Sequence, residues 1–299
     1  MRGLRPLLRT GDPGTGGPPP VVPRRPPEYY GEGTVEGFVA GARMDDRWHE
    51  GETGALRRPG RPPLLVRILR GPQPIGEEGV IDLGGEIDQP VGRPVAWSGA
   101  DCVLLRPNLS DLLSTVRRGP QIVTPKDAGQ LLFLAGVGPG HRVAEAGSGS
   151  GALTIVLAYA VGASGHVTSF DRRSEFLAAA RANVARAGLA DRVTFRDRDV
   201  AADGIDVGDL TSVVLDLPEP WEVLATAKRA LAPGGSVATY TPTYNQLERS
   251  VRALRAHGFE DVRAVELLER GLHVGDGGTR PEFDMLGHTG FLAGGRKIA

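Results

Sequence analysis

The stretch EAGSGSGA, residues 145–152, joins an apolar run at Arg142–Ala146 to a longer apolar run at Ala152–Val161. The first run has the length of a buried strand, and the second has the length of a helix. Glycine occupies every second position from 147 to 151, which permits a tight turn and a close approach of the backbone to a ligand. This unit of strand, glycine turn and helix predicts an open α/β sheet with a ligand at the turn.

Two cofactor patterns fit the glycine turn. Gly147, Gly149 and Ala152 satisfy the pattern G-x-G-x-x-G/A of dinucleotide-binding turns. Glu145 followed by the three glycines satisfies the pattern E-x-G-x-G-x-G of methyltransferases. Asp171 ends the next predicted strand, where a carboxylate accepts hydrogen bonds from the ribose hydroxyls of either cofactor. The residues therefore predict an adenosine-containing cofactor and leave its identity open at this point.

Composition divides the chain into three parts. Residues 1–60 are rich in proline, glycine and arginine and have little to bury, so we expect a poorly ordered tail, with Met44 as an alternative translation start. Short β-type runs between turn residues predict a small β-domain over residues 61–107. Strands then alternate with helical segments over residues 108–299, which predicts an α/β domain.

Charge and cysteine content limit the possible classes of protein. The formal net charge of −1 neither favours nor excludes a nucleic-acid partner, because a local basic face can be balanced by acids elsewhere. Cys102 is the single cysteine, so an internal disulfide is excluded and a thiolate zinc cluster is not expected. The chain has no apolar stretch of membrane-spanning length. We expect a cytoplasmic protein without a metal and without a membrane partner.

A second informative stretch, Asp216-Leu217-Pro218-Glu219-Pro220-Trp221, follows the apolar run Ser212 to Leu215. Ligands bind at the carboxyl ends of strands in open α/β sheets, and the two prolines restrict the backbone that carries Asp216. A fixed carboxylate suits methylation of an adenine ring nitrogen, because it stabilises the positive charge that develops across the amidine. Capping of the next helix is the alternative role for Asp216, and it is weakened by the distance to that helix.

The third predicted strand is followed by Asp197, Arg198 and Asp199. Methyltransferases place an acid against the adenine amine of the cofactor at this position, and Asp199 is the preferred candidate. Ordinary solvated loop charges are an equally good explanation for these residues.

Several blocks of the sequence resemble the tRNA methyltransferases that make 1-methyladenosine at position 58 of the T-loop. The likeness spans roughly residues 64–297, and the matching blocks occur in family order: GGEIDQPVG (84–92), LLRPNLSDLL (104–113), RRGPQIVTPKDAG (117–129), EAGSGSGALT (145–154), LDLPEPW (215–221), LAPGGSVATYTPTYNQ (231–246) and RPEFDMLGHTGFL (280–292). The resemblance implies a Rossmann-like class I methyltransferase sheet behind a small N-terminal β-domain. It also implies S-adenosylmethionine as cofactor, tRNA as partner and a homotetramer, and it removes the dinucleotide alternative.

The resemblance assigns roles to individual positions. The residues implied to bind the cofactor are Glu145, Gly147, Gly149, Ser150, Gly151, Ala152, Leu153, Asp171, Phe176, Asp199 and Asp216. The residues implied to be catalytic are Asp216 and Tyr240, and those implied to bind the substrate are Thr124, Lys126, Tyr240, Arg280 and His288. The sequence departs from the family at Thr124, where an aromatic residue is common, so stacking of the flipped adenine from that side is in doubt.

A base inside the T-loop must be extruded before it can be methylated, so we expect basic residues around the pocket. The candidates are Arg67, Arg70, Arg117, Arg118, Lys126, Arg280, Arg296 and Lys297. Two alternatives remain: a class I methyltransferase that acts on a protein or small molecule, and a non-catalytic RNA-binding subunit. The intact cofactor turn and Asp216 oppose the second alternative. Whether position 57 is also methylated is left open by the sequence.

Overall fold

The computed structural model describes residues 45–116 and 123–298. Within these ranges the strands are β1 (Thr53–Arg57), β2 (Leu64–Arg67), β3 (Pro72–Pro74), β4 (Val80–Asp82), β5 (Pro94–Trp97), β6 (Ala100–Leu105), β7 (Arg142–Ala146), β8 (His166–Asp171), β9 (Val193–Asp197), β10 (Leu210–Leu215), β11 (Leu231–Thr241), β12 (Phe259–Glu266), β13 (Leu272–Gly275), β14 (Gly278–Pro281) and β15 (Phe291–Lys297). The helices are α1 (Leu109–Ser114), α2 (Pro125–Ala135), α3 (Ala152–Val161), α4 (Ser174–Arg186), α5 (Val200–Asp203), α6 (Leu224–Ala230) and α7 (Tyr244–Ala256).

The N-terminal part is a small β-domain. Its main sheet has the strand order β2-β1-β6-β5, with every neighbouring pair antiparallel, and β3 and β4 form a separate hairpin. Trp48 and Leu56 are fully buried in its core. The boundary predicted at residue 61 therefore falls inside this domain, because β1 pairs on both sides in the sheet. The part of the predicted tail before residue 45 lies outside the described residues.

Helix α1 follows the β-domain and begins at a different cap from the one predicted. Asn108, rather than Ser110, caps it: the Asn108 side chain accepts from the Asp111 amide, and the Asp111 carboxylate accepts from the Asn108 amide. This reciprocal pair satisfies two backbone donors that a helix start leaves open. The predicted helix end at Gly119 and the candidates Arg117 and Arg118 lie outside the described residues.

The α/β domain contains a seven-stranded sheet of order β12-β15-β11-β10-β7-β8-β9. Strands β7 to β11 run parallel, and β15 is antiparallel to both of its neighbours. Buried side chains of α2, α3 and α4 form an apolar cluster on one face, and those of α5, α6 and α7 form a second cluster on the other. The predicted α/β sheet with a small N-terminal β-domain is confirmed.

The C-terminal part differs from the hairpin predicted from Val262 to Leu268 and Phe283 to Leu292. Strands β12 and β15 are sheet neighbours, but β15 begins only at Phe291, and the hairpin of β13 and β14 lies between them in sequence. Residues 268–286, here called the arm, include exposed apolar side chains that do not pack into the sheet: Leu268, Leu272, Val274, Phe283, Met285 and Leu286. In the described ranges, no helix has both the length and the apolar character that a membrane crossing requires.

Candidate active site

The glycine turn brings the cofactor loop against the loop after β10. Gly147 has φ of +97°, and a Cβ at this position would overlap the backbone carbonyl of Asp216. Gly151 has φ of +82°, and its Cβ would lie 2.9 Å from Cα of Ala180 in α4. A Cβ at Gly149, in contrast, would meet nothing within 4 Å. Two glycines therefore permit close packing, and the third leaves open space where the resemblance places the cofactor.

Glu145 lies fully buried beneath this turn. Its Oε2 accepts hydrogen bonds from Oγ1 of Thr154 and Oγ of Ser169, both at 2.5 Å, and Ser148 joins the network through Ser169. Its Oε1 has no hydrogen-bond partner among the described residues. Burial raises the pKa of Glu145 to about 8, so the neutral acid predominates at pH 7.

Asp171 ends β8 and carries the carboxylate predicted to face the cofactor ribose. It is buried, and its oxygens accept from the Gly149 amide at 3.2 Å and from the Arg173 amide and Nε at 3.1 and 3.2 Å. The Arg173 guanidinium also lies 3.9 Å from the centre of the Phe176 ring. Arg173 was not among the predicted site residues, although its position two residues after Asp171 is a signal for it.

Asp199 is the N-cap of α5. Its side chain accepts from the Ala201 amide at 3.0 Å and from Nη1 of Arg172 at 3.2 Å. The hydrogen bond from Arg172 lowers the pKa of Asp199, which keeps the carboxylate ionised. Asp199 therefore has a local capping role that is compatible with contact to a ligand.

Asp216 follows β10, and its amide donates to the Ala146 carbonyl at the end of β7. Asp216 is half-buried, and it lines two adjoining cavities of about 190 and 290 Å³. Burial among protein atoms and the neighbouring Asp171 carboxylate together raise the pKa of Asp216 to about 7, although Arg173 opposes both effects. A cationic ligand beside this carboxylate would favour its ionised form.

The two cavities share Gly147, Arg173 and the segment Asp216 to Pro218 as walls. The smaller cavity is also lined by Asp171 and Asp199, and the larger by the remaining wall residues Val123, Gly149, Ser150, Phe176, Tyr240, Pro242 and Gln246. The open space at Gly149 and the two acids suit an adenosine-containing cation such as S-adenosylmethionine. The residues present therefore fit this cofactor. A larger groove of about 680 Å³ lies between α2, β11, β12 and β15; it contains none of the predicted catalytic or cofactor-binding residues, but it is lined by Arg296, one of the predicted cations.

Tyr240 is buried at the wall of the larger cavity, where its hydroxyl donates to the Thr289 carbonyl at 2.7 Å. Burial raises the pKa of Tyr240, so its hydroxyl keeps its proton. Gln246 approaches from α7, and its Nε2 donates to the Pro218 carbonyl at 2.9 Å. Sequence reasoning missed Gln246 as a site residue, although the matched block ends on it.

The other predicted site residues lie outside the walls of the two cavities. Gly151 is the N-cap of α3, Ala152 and Leu153 begin the helix, and all three residues are buried. Thr124 precedes α2, with its hydroxyl bound to Asp127, and Lys126 is bound to Asp127 and Thr289. Thr124 directly follows Val123, which is a wall residue of the larger cavity.

His288 and Arg280 differ in their relation to the site. His288 is bound to Glu266 at 2.9 Å and to the carbonyl of Pro242, a wall residue, at 2.8 Å. The hydrogen bond that His288 Nδ1 donates to the Glu266 carboxylate raises the pKa of His288. Arg280 lies in the arm and stacks on Phe283 at 4.5 Å. His288 therefore contacts a wall residue of the larger cavity, whereas Arg280 lies on the arm.

The sheet order, the single antiparallel strand and an acid-lined turn after β7 define a class I methyltransferase. The family model described as "tRNA methyltransferase complex GCD14 subunit" matches residues 107–280, and the chain belongs to this family.

Individual relatives agree with this membership. The chain is 36% identical over 214 residues, 63% of its length and 76% of the relative's, to the tRNA (adenine(57)-N(1)/adenine(58)-N(1))-methyltransferase TrmI of Methanocaldococcus jannaschii. It is 37% identical over 199 residues, 67% of its length and 78% of the relative's, to the tRNA (adenine(58)-N(1))-methyltransferase TrmI of Thermus thermophilus.

Solved structures show the same fold. A SAM-dependent O-methyltransferase from Thermotoga maritima superposes with a TM-score of 0.70 at 31% identity, over 85% of this chain and 96% of that one. The tRNA (m1A58) methyltransferase TrmI from Aquifex aeolicus superposes with a TM-score of 0.64 at 28% identity, over 85% of this chain and 99% of that one.

Proposed function

We propose that this protein transfers a methyl group from S-adenosylmethionine to N1 of adenosine 58 in the T-loop of tRNA. The observation that carries the proposal is the position of Asp216, which lines both adjoining cavities. One side chain can therefore face the methyl donor and the target base together. Family membership and the names of the two TrmI relatives support the choice of base and position.

The cofactor would occupy the cavity between the glycine turn and α5. Asp171 would accept hydrogen bonds from the ribose hydroxyls, which requires the Arg173 guanidinium to give up part of its contact with Asp171. Asp199 would accept from the adenine amine. When bound, S-adenosylmethionine supplies an electrophilic methyl group on a positively charged sulfur.

Asp216 would act on the base. Its carboxylate would accept a hydrogen bond from the exocyclic amine of the flipped adenine and so orient N1, whose lone pair would bond to the methyl carbon that the donor supplies, with the carbon–sulfur electron pair left on sulfur. The amidine becomes cationic in this step, and the ionised carboxylate stabilises it. Tyr240 would form the wall that keeps the base in place, and Val123 and Pro242 line the same cavity.

The site implies an RNA-binding surface around the larger cavity. A tRNA ligand should bind with an affinity that falls steeply with salt, because cationic side chains displace counterions from phosphates. Some predicted cations have internal partners: Arg67 donates to Thr53, and Lys297 donates to the Leu231 carbonyl. Arg70, which forms an exposed ion pair with Glu50 at 3.5 Å, and Arg280 are the candidates for phosphate contacts. An affinity that is insensitive to salt would favour a small-molecule substrate.

The proposed assembly is a cytoplasmic homotetramer. The exposed apolar side chains of the arm support an assembly that covers them with another copy, because large exposed apolar patches mark interaction surfaces. Light scattering on the wild type and on Phe283→Asp with Leu286→Asp tests this. A wild-type monomer would contradict the tetramer.

The decisive experiment is nucleoside mass spectrometry of tRNA incubated with the protein and S-adenosylmethionine. Wild type should produce 1-methyladenosine, and Asp216→Ala should be slower by about 100-fold to 1000-fold, the range for loss of one charge-stabilising group. Calorimetry should show that the variant still binds the cofactor. Transcripts with guanosine at position 58, or with adenosine at 57, separate the two positions. Absence of 1-methyladenosine, or full activity of Asp216→Ala, would contradict the proposal.

A further inference from the structure

A buried ion pair lies at the start of α2, behind the larger cavity. Lys126 Nζ is 2.7 Å from Oδ1 of Asp127, and the exposed fractions of the two side chains are 11% and 0%. The other carboxylate oxygen accepts from the Thr124 hydroxyl at 2.8 Å. Removing two charges from water carries a desolvation cost that their attraction only partly repays. A pair that is buried at this cost does not serve solubility, so its role depends on what its hydrogen bonds hold in place.

Lys126 connects this pair to a distant part of the chain. Its Nζ donates to Oγ1 of Thr289 at 2.6 Å, across 163 residues of sequence. The backbone carbonyl of the same Thr289 accepts from the Tyr240 hydroxyl at 2.7 Å. Thr289 is thus held from both sides, by the ammonium through its side chain and by the tyrosine through its backbone.

The neighbours of Thr289 leave little freedom for another arrangement. Gly290 lies against the Tyr240 ring, and His288 is bound to Glu266 and to the Pro242 carbonyl. Contacts from α2, β11 and β12 therefore meet on three consecutive residues. A change in the position of Thr289 is transmitted to Tyr240, because a hydrogen bond of 2.7 Å allows little displacement.

We propose that Lys126 and Asp127 are positioning residues. Together they hold Thr289 in place, and Thr289 in turn holds the hydroxyl of Tyr240, which forms one wall of the larger cavity. The inference rests on the proposed function and assigns these two residues a part in orienting the target adenine. The role expected for Lys126 from the sequence was contact with the substrate; two internal acceptors engage two of the three donors of its ammonium group, which favours the positioning role.

A double-mutant cycle tests the link. Lys126→Met and Thr289→Val are each made alone and together with Tyr240→Phe, and kcat and KM for tRNA are measured for every variant. Each single change should lower kcat/KM about 10-fold, the loss that corresponds to one hydrogen bond to a charged group. In the Tyr240→Phe background the same change should have less than about a twofold effect, because the contact it acts through is already absent. Cofactor affinity, measured by calorimetry, should be unchanged.

Arg252→Met, which removes an exposed cation of α7, is the matched control for loss of charge. Equal effects in the wild-type and Tyr240→Phe backgrounds would overturn the inference. So would a rise in KM with unchanged kcat that also disappears at high salt, since that is the signature of a phosphate contact. If Lys126→Met does not fold, the test uses Thr289→Val. This change keeps the ion pair of Lys126 and Asp127 and removes only the hydroxyl that accepts the hydrogen bond from Lys126.

The link is also measurable without the reaction. The same cycle on the free energy of unfolding should show coupling between Thr289→Val and Tyr240→Phe. A wild-type protein that makes no 1-methyladenosine would refute the proposed function and leave this measurement valid. Absence of coupling in unfolding would refute the positioning link by itself.

Discussion

Gly290 packs against the ring of Tyr240 so closely that a Cβ on Gly290 would overlap Cζ, Cε2 and the hydroxyl oxygen of the tyrosine. Tyr240 lines the larger cavity, and Gly290 immediately precedes the antiparallel strand β15. The absence of a side chain at Gly290 therefore determines where one wall of the proposed base pocket stands.

Replacement of Gly290 by alanine should displace Tyr240. We expect Gly290→Ala to destabilise the protein by about 1–3 kcal/mol, the usual cost of overpacking a filled site, and to lower kcat/KM for tRNA. Denaturant unfolding and methyl-transfer kinetics measure the two effects. Gly287→Ala is the matched control, because a Cβ there meets nothing within 4 Å. Equal behaviour of the two variants would contradict this view of the pocket.

The reaction should depend on the ionisation of Asp216. Burial raises the pKa of Asp216 to about 7, so the carboxylate is protonated below this pH in the free enzyme and cannot then stabilise a cation. We expect kcat/KM for the cofactor to rise with pH, with a midpoint near 7. The bound sulfonium favours the carboxylate, so the midpoint in kcat should lie lower. A profile that is flat from pH 5 to 8 would be inconsistent with this assignment.

Stability should fall with rising pH because of Glu145. The pKa of Glu145 is raised from 4.5 to about 8 in the folded protein, so between these values the folded state holds a proton that the unfolded state releases. This group lowers the free energy of unfolding by up to about 1.4 kcal/mol per pH unit within that window. Glu145→Gln should show a flatter dependence in denaturant titrations from pH 5 to 8. The same slope in both proteins would rule out the buried acid as its source.

Restoring an aromatic residue at position 124 should strengthen substrate binding. Thr124→Tyr offers a ring for the extruded adenine, and stacking of one base contributes ~1–3 kcal/mol in single-stranded binders. The change also removes the hydroxyl that donates to Asp127, so Thr124→Val measures that loss alone. Fluorescence anisotropy with labelled tRNA gives the affinities. An affinity of Thr124→Tyr no better than that of Thr124→Val would count against stacking.

Local sequence was sufficient to predict the sheet and the two loops at its carboxyl edge. The strand at Arg142–Ala146 and the helix at Ala152–Val161 have the predicted bounds, because an apolar strand, a glycine turn and an apolar helix each leave a local pattern. Helix α2 was missed as an element. Pro125 at its first position and Gly136 in the left-handed conformation at its end are nevertheless its sequence signals.

Contacts between distant residues were beyond the reach of local patterns. The bonds from Lys126 to Thr289 and from Tyr240 to the Thr289 carbonyl depend on the return of the chain through β15. The position of the arm was equally unpredictable from local patterns, because its apolar residues have the pattern of a buried strand but are exposed. Roles carried over by resemblance, such as substrate binding by Arg280 and His288, remain predictions.

The register of the central sheet places Ala146 of β7 opposite Leu215 of β10, so the glycine turn and the Asp216 loop leave the sheet from adjacent rungs. Neighbouring strands stand about 4.8 Å apart in any sheet. The hydrogen bonds between β7 and β10 therefore set the distance between the backbones from which the two loops begin. Side chains around the two loops can differ between relatives, and so change which nucleic acid is bound, without changing this strand spacing.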